Sequence, residues 1–304
     1  MKIRSMNRLL AAGLFSAVLS AGCSHRDEAT LGTPENPIVV VFSPAHAPTG
    51  SDALLFIKKH LENATRMSVD IKIAESPAAT IKLFNTGVAD AGFVTLEEYL
   101  VAREEYGVRV LLQALRANNM SDYDGVILTR AKDGPAAISG LSGKKVGFVG
   151  PYSLSGFTLP AIYLKKAGVK VAPDFAPTHD ANINKLLSGE VYAAASYERQ
   201  AARFPGLKIL AHTGRAPNEP VIVRGSLPMD KREALKSAFL SIGDTPEGKR
   251  ALGEVADITG FASAGPDVYR PIHELILAEG QAVYDLVPGG WEIYKLNRPY
   301  IPDR

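Results

Sequence analysis

The chain has 304 residues, with 34 Lys and Arg against 32 Asp and Glu, a formal net charge of +2 and 22% charged side chains. That balance excludes an electrostatic grip on nucleic acid, which needs a strongly basic face. Cys23 is the only cysteine, so internal disulfides are excluded and no second thiol is left for catalysis or metal binding.

Lys2, Arg4 and Arg8 precede an apolar stretch from Leu9 to Leu19, which Leu19-Ser20-Ala21-Gly22-Cys23 closes. A basic start, a short apolar middle and small residues before a cut predict a secretory signal peptide over residues 1–22. The apolar run is shorter than the about 20 residues that a membrane-spanning helix needs. Ala21 and Gly22 let the chain enter a peptidase cleft in extended form, and Cys23 then offers its thiol to diacylglycerol. The Leu-Ser-Ala-Gly-Cys box resembles the bacterial lipoprotein signal. It implies lipidation at Cys23, with acyl chains such as palmitate holding the protein to a membrane of the cell envelope, facing the periplasm or exterior. An ordinary signal peptide with an incidental cysteine is the alternative. Residues 23–37 are polar and turn-rich, as expected of a lipidated tether.

Roughly 270 residues follow, enough for one large domain or two smaller ones. Ile38-Val39-Val40-Val41-Phe42 reads as a buried strand, and a helix is expected from about Asp52 to Ala64. Val69 to Ile73 is a second strand, Ile81 to Asn85 lies in a second helix, and Ala89–Val94 and Val108–Leu111 continue the series. Such alternation predicts an α/β chain with parallel strands and crossover helices. The second half echoes the first: Phe42-Ser43-Pro44 with a loop to Gly50 matches Phe148-Val149-Gly150 with a loop to Gly156. Ile81 to Gly87 likewise matches Ile183 to Gly189, each glycine being followed by a short apolar strand. Chance resemblance between two α/β halves is the alternative; if the echo is real, there are two similar lobes, each with a strand–loop–helix corner where open α/β sheets bind ligands. Tyr123–Leu128 is expected to lead into the second lobe and Pro220–Val223 to return to the first. Lobe 1 is then 38–124 and 217–304, lobe 2 is 125–216, and the two crossings form a hinge.

Gly150-Pro151-Tyr152-Ser153-Leu154-Ser155-Gly156 follows a strand and precedes a helix. First-turn N–H groups and two hydroxyls there suit an anion, although a serine N-cap explains the pattern equally well. Gly143-Lys144-Lys145-Val146-Gly147-Phe148, with Pro151, Ser153, Ser155 and Gly156 beyond it, resembles the phosphonate-binding receptors of ABC transporters. These belong to a wider phosphate, phosphite and phosphonate receptor group. Tyr123 before a strand, His179-Asp180 before a helix, Pro217-Asn218-Glu219-Pro220, Thr245-Pro246-Glu247-Gly248 and Thr259-Gly260-Phe261 extend the likeness from about Ile38 to Tyr269. The resemblance implies a two-lobed type II periplasmic-binding-protein fold. It gives hydroxyl donors to Ser153 and Ser155, backbone donors to Leu154, Ser155 and Gly156, a phenol to Tyr123 and a ring hydrogen bond to His179. Glu219 falls where relatives that take aminophosphonates place a carboxylate for the ammonium; a solvated loop acid is the plain reading. An isolated His179 beside Asp180 is otherwise a helix cap. His46, Thr49, Phe93 and Thr95 are possible lobe 1 lining, Phe93 being better suited to the core.

Some positions depart from the family pattern. Leu154 interrupts the usual Ser-Thr-Ser triplet, Tyr192 replaces a common aspartate whose lobe 1 counterpart Asp90 is present, and Pro77 stands where aminophosphonate binders have a tyrosine. Gly243 to Lys249 mimics a nucleotide-binding loop, but Arg250 replaces the required Ser or Thr and a helix pattern precedes it. No nucleophile elbow or His-Glu-x-x-His motif occurs, and the six histidines lack metal-ligand spacing. Neither cofactor, metal nor nucleic-acid partner is expected, and Lys144-Lys145 is a solvated turn. The expected protein is a monomeric solute-binding lipoprotein that captures a small oxyanion and hands it to an ABC permease. A receptor feeding a sensor kinase is the rival within binding proteins; a lipid-anchored enzyme on the same fold is the rival from another class.

Overall fold

The computed structural model describes residues 26–47 and 50–279; the predicted leader, Cys23 and Thr49 lie outside the described residues. In chain order the first lobe opens with β1 (Ile38–Phe42), α1 (Ser51–Thr65), β2 (Val69–Ile73), α2 (Pro77–Asn85), β3 (Ala91–Phe93), α3 (Leu96–Tyr106) and β4 (Arg109–Leu115). The second lobe holds β5 (Asp122–Arg130), β6 (Lys145–Val149), α4 (Leu159–Lys166), β7 (Ala172–Ala176), α5 (His179–Ser188), β8 (Ala193–Tyr197), α6 (Arg199–Arg203) and β9 (Leu207–Pro217). The chain then returns through β10 (Pro220–Val223), α7 (Met229–Ser241), α8 (Pro246–Ala256), β11 (Gly260–Ser263) and α9 (Arg270–Glu279).

The strands form two sheets, ordered β11-β4-β10-β3-β1-β2 and β7-β6-β8-β5-β9. In the first, β1 lies parallel to β2 and β3, while β10 runs antiparallel to β3 and β4. In the second, β6 lies parallel to β7 and β8, while β5 runs antiparallel to β8 and β9. The internal echo thus appears as topology, with Val40 paired to Ala91 in one lobe and Val146 to Ala193 in the other. Each lobe receives an antiparallel strand from a crossing, β10 in lobe 1 and β5 in lobe 2. The crossings lie close together at Arg116–Ser121 and Pro217–Glu219, and β5 of the second sheet starts at Asp122. The Asn218 N–H donates to Ser121 O at 2.8 Å, and Asn218 Nδ2 donates to Met120 O at 2.8 Å and Ala114 O at 3.0 Å.

Local sequence explains the elements. β1 is a β-branched run bounded by Pro37 and Pro44, and all five residues are buried between helices. Its aliphatic side chains each contribute about 1.5–3 kcal/mol by leaving water. The outer strands β2 and β7 are partly exposed and carry Asp70, Lys72 and Asp174, the charged character that protects sheet edges. Ser76, Thr95, Thr178 and Thr245 cap α2, α3, α5 and α8 through their side chains. The echoed helices α2 and α5 are each followed by a left-handed glycine, Gly87 at φ 68° and Gly189 at φ 83°. The nucleotide-loop mimic is the capped start of α8, where Thr245 Oγ1 accepts from the Gly248 N–H at 3.0 Å.

Within the expected tether, residues 26–37 make bonds to lobe 1. Arg26 donates to Asn36 Oδ1 at 2.9 Å, Val88 O at 3.2 Å and Asp90 Oδ2 at 2.5 Å, and also to Pro37 O. Asp90 is fully buried and also accepts from the Val39 N–H at 2.8 Å and Arg224 Nε at 2.8 Å. Leu31 adds an apolar anchor at 3% exposure. Polar, turn-rich composition therefore encodes a docked arm through side-chain bonds that no periodicity reveals.

Candidate functional site

The corner of lobe 2 where an anion is expected differs from a plain helix start. Leu154–Thr158 forms a five-residue π-helix that runs into α4, a widened turn found frequently at functional sites. Ser153 is its N-cap, accepting from the Gly156 N–H at 3.2 Å. A Cβ on Gly156 would come within 2.6 Å of both Ser153 Oγ and Val149 Cβ, so only glycine permits this close approach. Ser155 is 1% exposed and lies near the Tyr123 phenol; Leu154 and Gly156 are buried. The Gly156 amide is thus already engaged, which leaves Ser153, half-buried, as the most accessible of the predicted hydroxyls.

His179 opens α5, but Thr178 caps that helix, so His179 is not the cap. Its ring joins Ser153 Oγ at 3.4 Å through Nε2 and Ser196 Oγ at 3.0 Å through Nδ1. Tyr197 packs edge-on to His179 at 4.9 Å and to Tyr123 at 6.1 Å, closing an aromatic wall. Across that wall Arg116 lies over the Tyr123 ring at 5.8 Å and donates from Nη1 to Glu219 Oε2 at 2.7 Å. Both come from the crossings, so the hinge itself contributes a pair of opposite charges to the site.

Lobe 1 supplies the opposite side. His46 ends a short 3₁₀ turn, Pro44–His46, lies 4.6 Å from the Phe93 ring and is 6% exposed. Its Nε2 is buried with no hydrogen-bond partner among the described residues. Phe93 is a core residue at 1% exposure. Thr95 does not present a free hydroxyl, because it forms a capping box: Oγ1 accepts from the Glu98 N–H at 3.3 Å and its own N–H donates to Glu98 Oε2 at 2.7 Å. Glu97, fully buried beside it, accepts at Oε1 from Thr158 Oγ1 of lobe 2 at 3.0 Å. That bond joins the two lobes directly.

Burial sets most of the electrostatics. Loss of water pushes the Glu97 carboxyl up to about 8 and Glu98 up to about 7, outweighing their hydrogen bonds. The same desolvation lowers His46 and His179 to about 4, so both rings are neutral at pH 7. Burial, then Glu219, raises the Tyr123 phenol. Glu219 is the exception: burial opposes its charge, yet Arg116 and then His46 hold it down to about 2. Neutral donors therefore surround one internally matched ion pair, a setting that can hold an anion through hydrogen bonds.

Ser153 and His179 share a hydrogen bond, Tyr123 joins them through the Tyr197 ring and Glu219 through Arg116, and Ser155 is buried in the π-helix that Ser153 caps. His46 packs on Phe93 and meets Glu219 through charge alone, and Thr95 is turned to capping. Sequence reasoning missed Arg116, Glu97, Thr158, Ser196 and Tyr197. The available signal for Arg116 was an arginine at a strand end just before the predicted crossing. For Glu97 there was little, since adjacent Glu97-Glu98 in a helical first turn is an ordinary capping pattern. A separate cavity of about 300 Å³, lined by Gln113, Ser121, Asp122, Arg215, Pro217 and Val268 among others, contains none of the predicted residues.

Residues 43–269 match the family model of the ABC transporter, phosphonate, periplasmic substrate-binding protein. A curated relative, the phosphate-import protein PhnD of Mycolicibacterium smegmatis, is 27% identical over 216 residues, spanning 65% of this chain and 67% of its own length. The binding protein component of an ABC phosphonate transporter from Pseudomonas aeruginosa superposes with a TM-score of 0.67 at 18% identity, covering 86% of this chain and 93% of that one. PhnD1 from Prochlorococcus marinus, solved with methylphosphonate, gives a TM-score of 0.65 at 20% identity over 79% of this chain and 96% of its own. These similar proteins are transport binding proteins rather than enzymes, and the family model places its members outside the cytoplasm. The chain belongs to the family of periplasmic substrate-binding proteins of phosphonate ABC transporters.

Proposed function

We propose that this protein captures a small phosphorus oxyanion between its lobes and delivers it to an ABC permease while anchored through lipid on Cys23. The observation that carries the reading is the Ser153–His179–Ser196 hydrogen-bond chain, set beside Tyr123 and Ser155. Neutral hydroxyl and imidazole groups bind a tetrahedral oxyanion without a titratable countercharge. The phosphate-import and methylphosphonate-bound relatives support phosphate or an alkylphosphonate as ligand. The Leu-Ser-Ala-Gly-Cys box and the single cysteine support the anchor, and membership of the transporter family supports delivery to a permease.

Charge-assisted hydrogen bonds of this kind contribute roughly 1.5–3 kcal/mol each. Ser153→Ala should therefore weaken the binding of methylphosphonate or phosphate by about tenfold to a hundredfold, at 1.4 kcal/mol per decade. Because Ser153 also caps the π-helix, up to about 2 kcal/mol of stability is expected to go with it, so calorimetry and melting are measured on the same samples. Wild-type affinity in a well-folded Ser153→Ala protein would place the anion elsewhere.

A further inference from the structure

Arg116 and Glu219 meet at 2.7 Å where the two crossings run side by side, with side chains 16% and 14% exposed. The Glu219 segment has little freedom to withdraw: Glu219 O accepts from the Ala114 N–H at 2.9 Å, and Asn218 O accepts from Tyr269 Oη at 3.0 Å. Arg116 is held against the face of Tyr123 at 5.8 Å. An unpaired carboxylate here would repel the anion that the neighbouring hydroxyls collect. With His46, His179 and Glu97 kept neutral by burial, the opposite charges at this end of the cleft satisfy one another.

Resting on the oxyanion-binding reading above, we infer that Arg116 determines the ligand class: by neutralising Glu219 it admits small phosphorus oxyanions without a cationic group and turns away those bearing an ammonium. An ammonium could reach the Glu219 carboxylate only by displacing a guanidinium already bonded there. That exchange would leave the Arg116 charge partly buried, beside a second cation and without its partner. Specificity then comes from an occupied counter-charge as much as from attraction to the favoured ligand.

Propylphosphonate and 2-aminoethylphosphonate are near-isosteres that differ by a methyl or an ammonium, and methylphosphonate serves as the small reference. By calorimetry at pH 7, the wild type should bind propylphosphonate at least tenfold more tightly than 2-aminoethylphosphonate. Arg116→Met exposes Glu219, and this ratio should fall at least tenfold or reverse; Arg116→Lys, which keeps a cation, should retain most of it. Should the unpaired carboxylate prevent Arg116→Met from folding, Arg116→Gln, which can still hydrogen-bond Glu219 without cancelling its charge, takes its place, and its ratio should likewise fall below that of the wild type. The inference is overturned if wild type prefers the ammonium ligand, or if Arg116→Met weakens both probes equally, which would make Arg116 a direct anion contact. It is also overturned if methylphosphonate binds and both longer probes are rejected, since size would then set the limit. Failure of all three probes would overturn it, and the oxyanion reading falls with it only if phosphate and phosphite also fail to bind, a result distinct from altered discrimination.

Discussion

Glu97 is the residue whose chemistry reaches furthest beyond its position. It is buried, protonated near neutrality and bonded to Thr158 across the cleft, with Oε2 lacking a partner among the described residues. Its folded pKa of about 8 lies above its ordinary value of 4.5, so its contribution to stability is complete below pH 4.5 and lost as pH rises towards 8. His46 and His179 act oppositely: folded values of about 4 against 6.5 give stability that is present above pH 6.5 and lost as pH falls to 4. Between pH 6.5 and 8 the histidines no longer contribute slope, which leaves Glu97, with Glu98 adding near pH 7. Wild-type stability is expected to drop across this window by on the order of a few kcal/mol. Glu97→Gln should flatten most of that drop in urea denaturation curves; equal slopes in both proteins would remove Glu97 as the cause.

At the scale of elements, the strand runs and repeated corner were legible because they are local. Ile38–Phe42 and the glycines after α2 and α5 carry their conformations in adjacent residues, whereas the α5 cap read at His179 belongs to Thr178. The π-helix was not legible, since the widened turn depends on Val149 and Ser153 crowding Gly156. Nor was the docked N-terminal arm, whose bonds from Arg26 reach Val88 and Asp90 more than sixty positions away. The site divides in the same way: Ser153 and His179 stood in a recognisable pattern, whereas Arg116 acquires its role only when β4 and β10 become neighbours. Gly156→Ala tests the element directly. Its Cβ forces Ser153 or the backbone to move, with an expected cost of about 1–3 kcal/mol and a parallel loss of oxyanion affinity. Unchanged melting and binding would mean that the turn has room the geometry does not indicate.

For the whole molecule, the lobes share more than the crossings. A buried apolar cluster joins Tyr99 and Leu100 of lobe 1 to Leu154, Phe157 and Leu159 of lobe 2, and Arg199 of α6 pairs with Asp257 beyond α8. Anchoring is a separate property: Cys23→Ser is expected to yield an unlipidated precursor that is soluble or poorly processed. Retention in carbonate-washed membranes at the wild-type level would contradict attachment at that residue. The central claim, that the interlobe cleft is a receptor for a phosphorus oxyanion, is tested most directly by calorimetric titration of a soluble form beginning at Ser24 with phosphate, phosphite and methylphosphonate. Saturable binding of at least one of them at a single site per chain is predicted. A folded protein that binds none of the three, even at millimolar ligand, would contradict it.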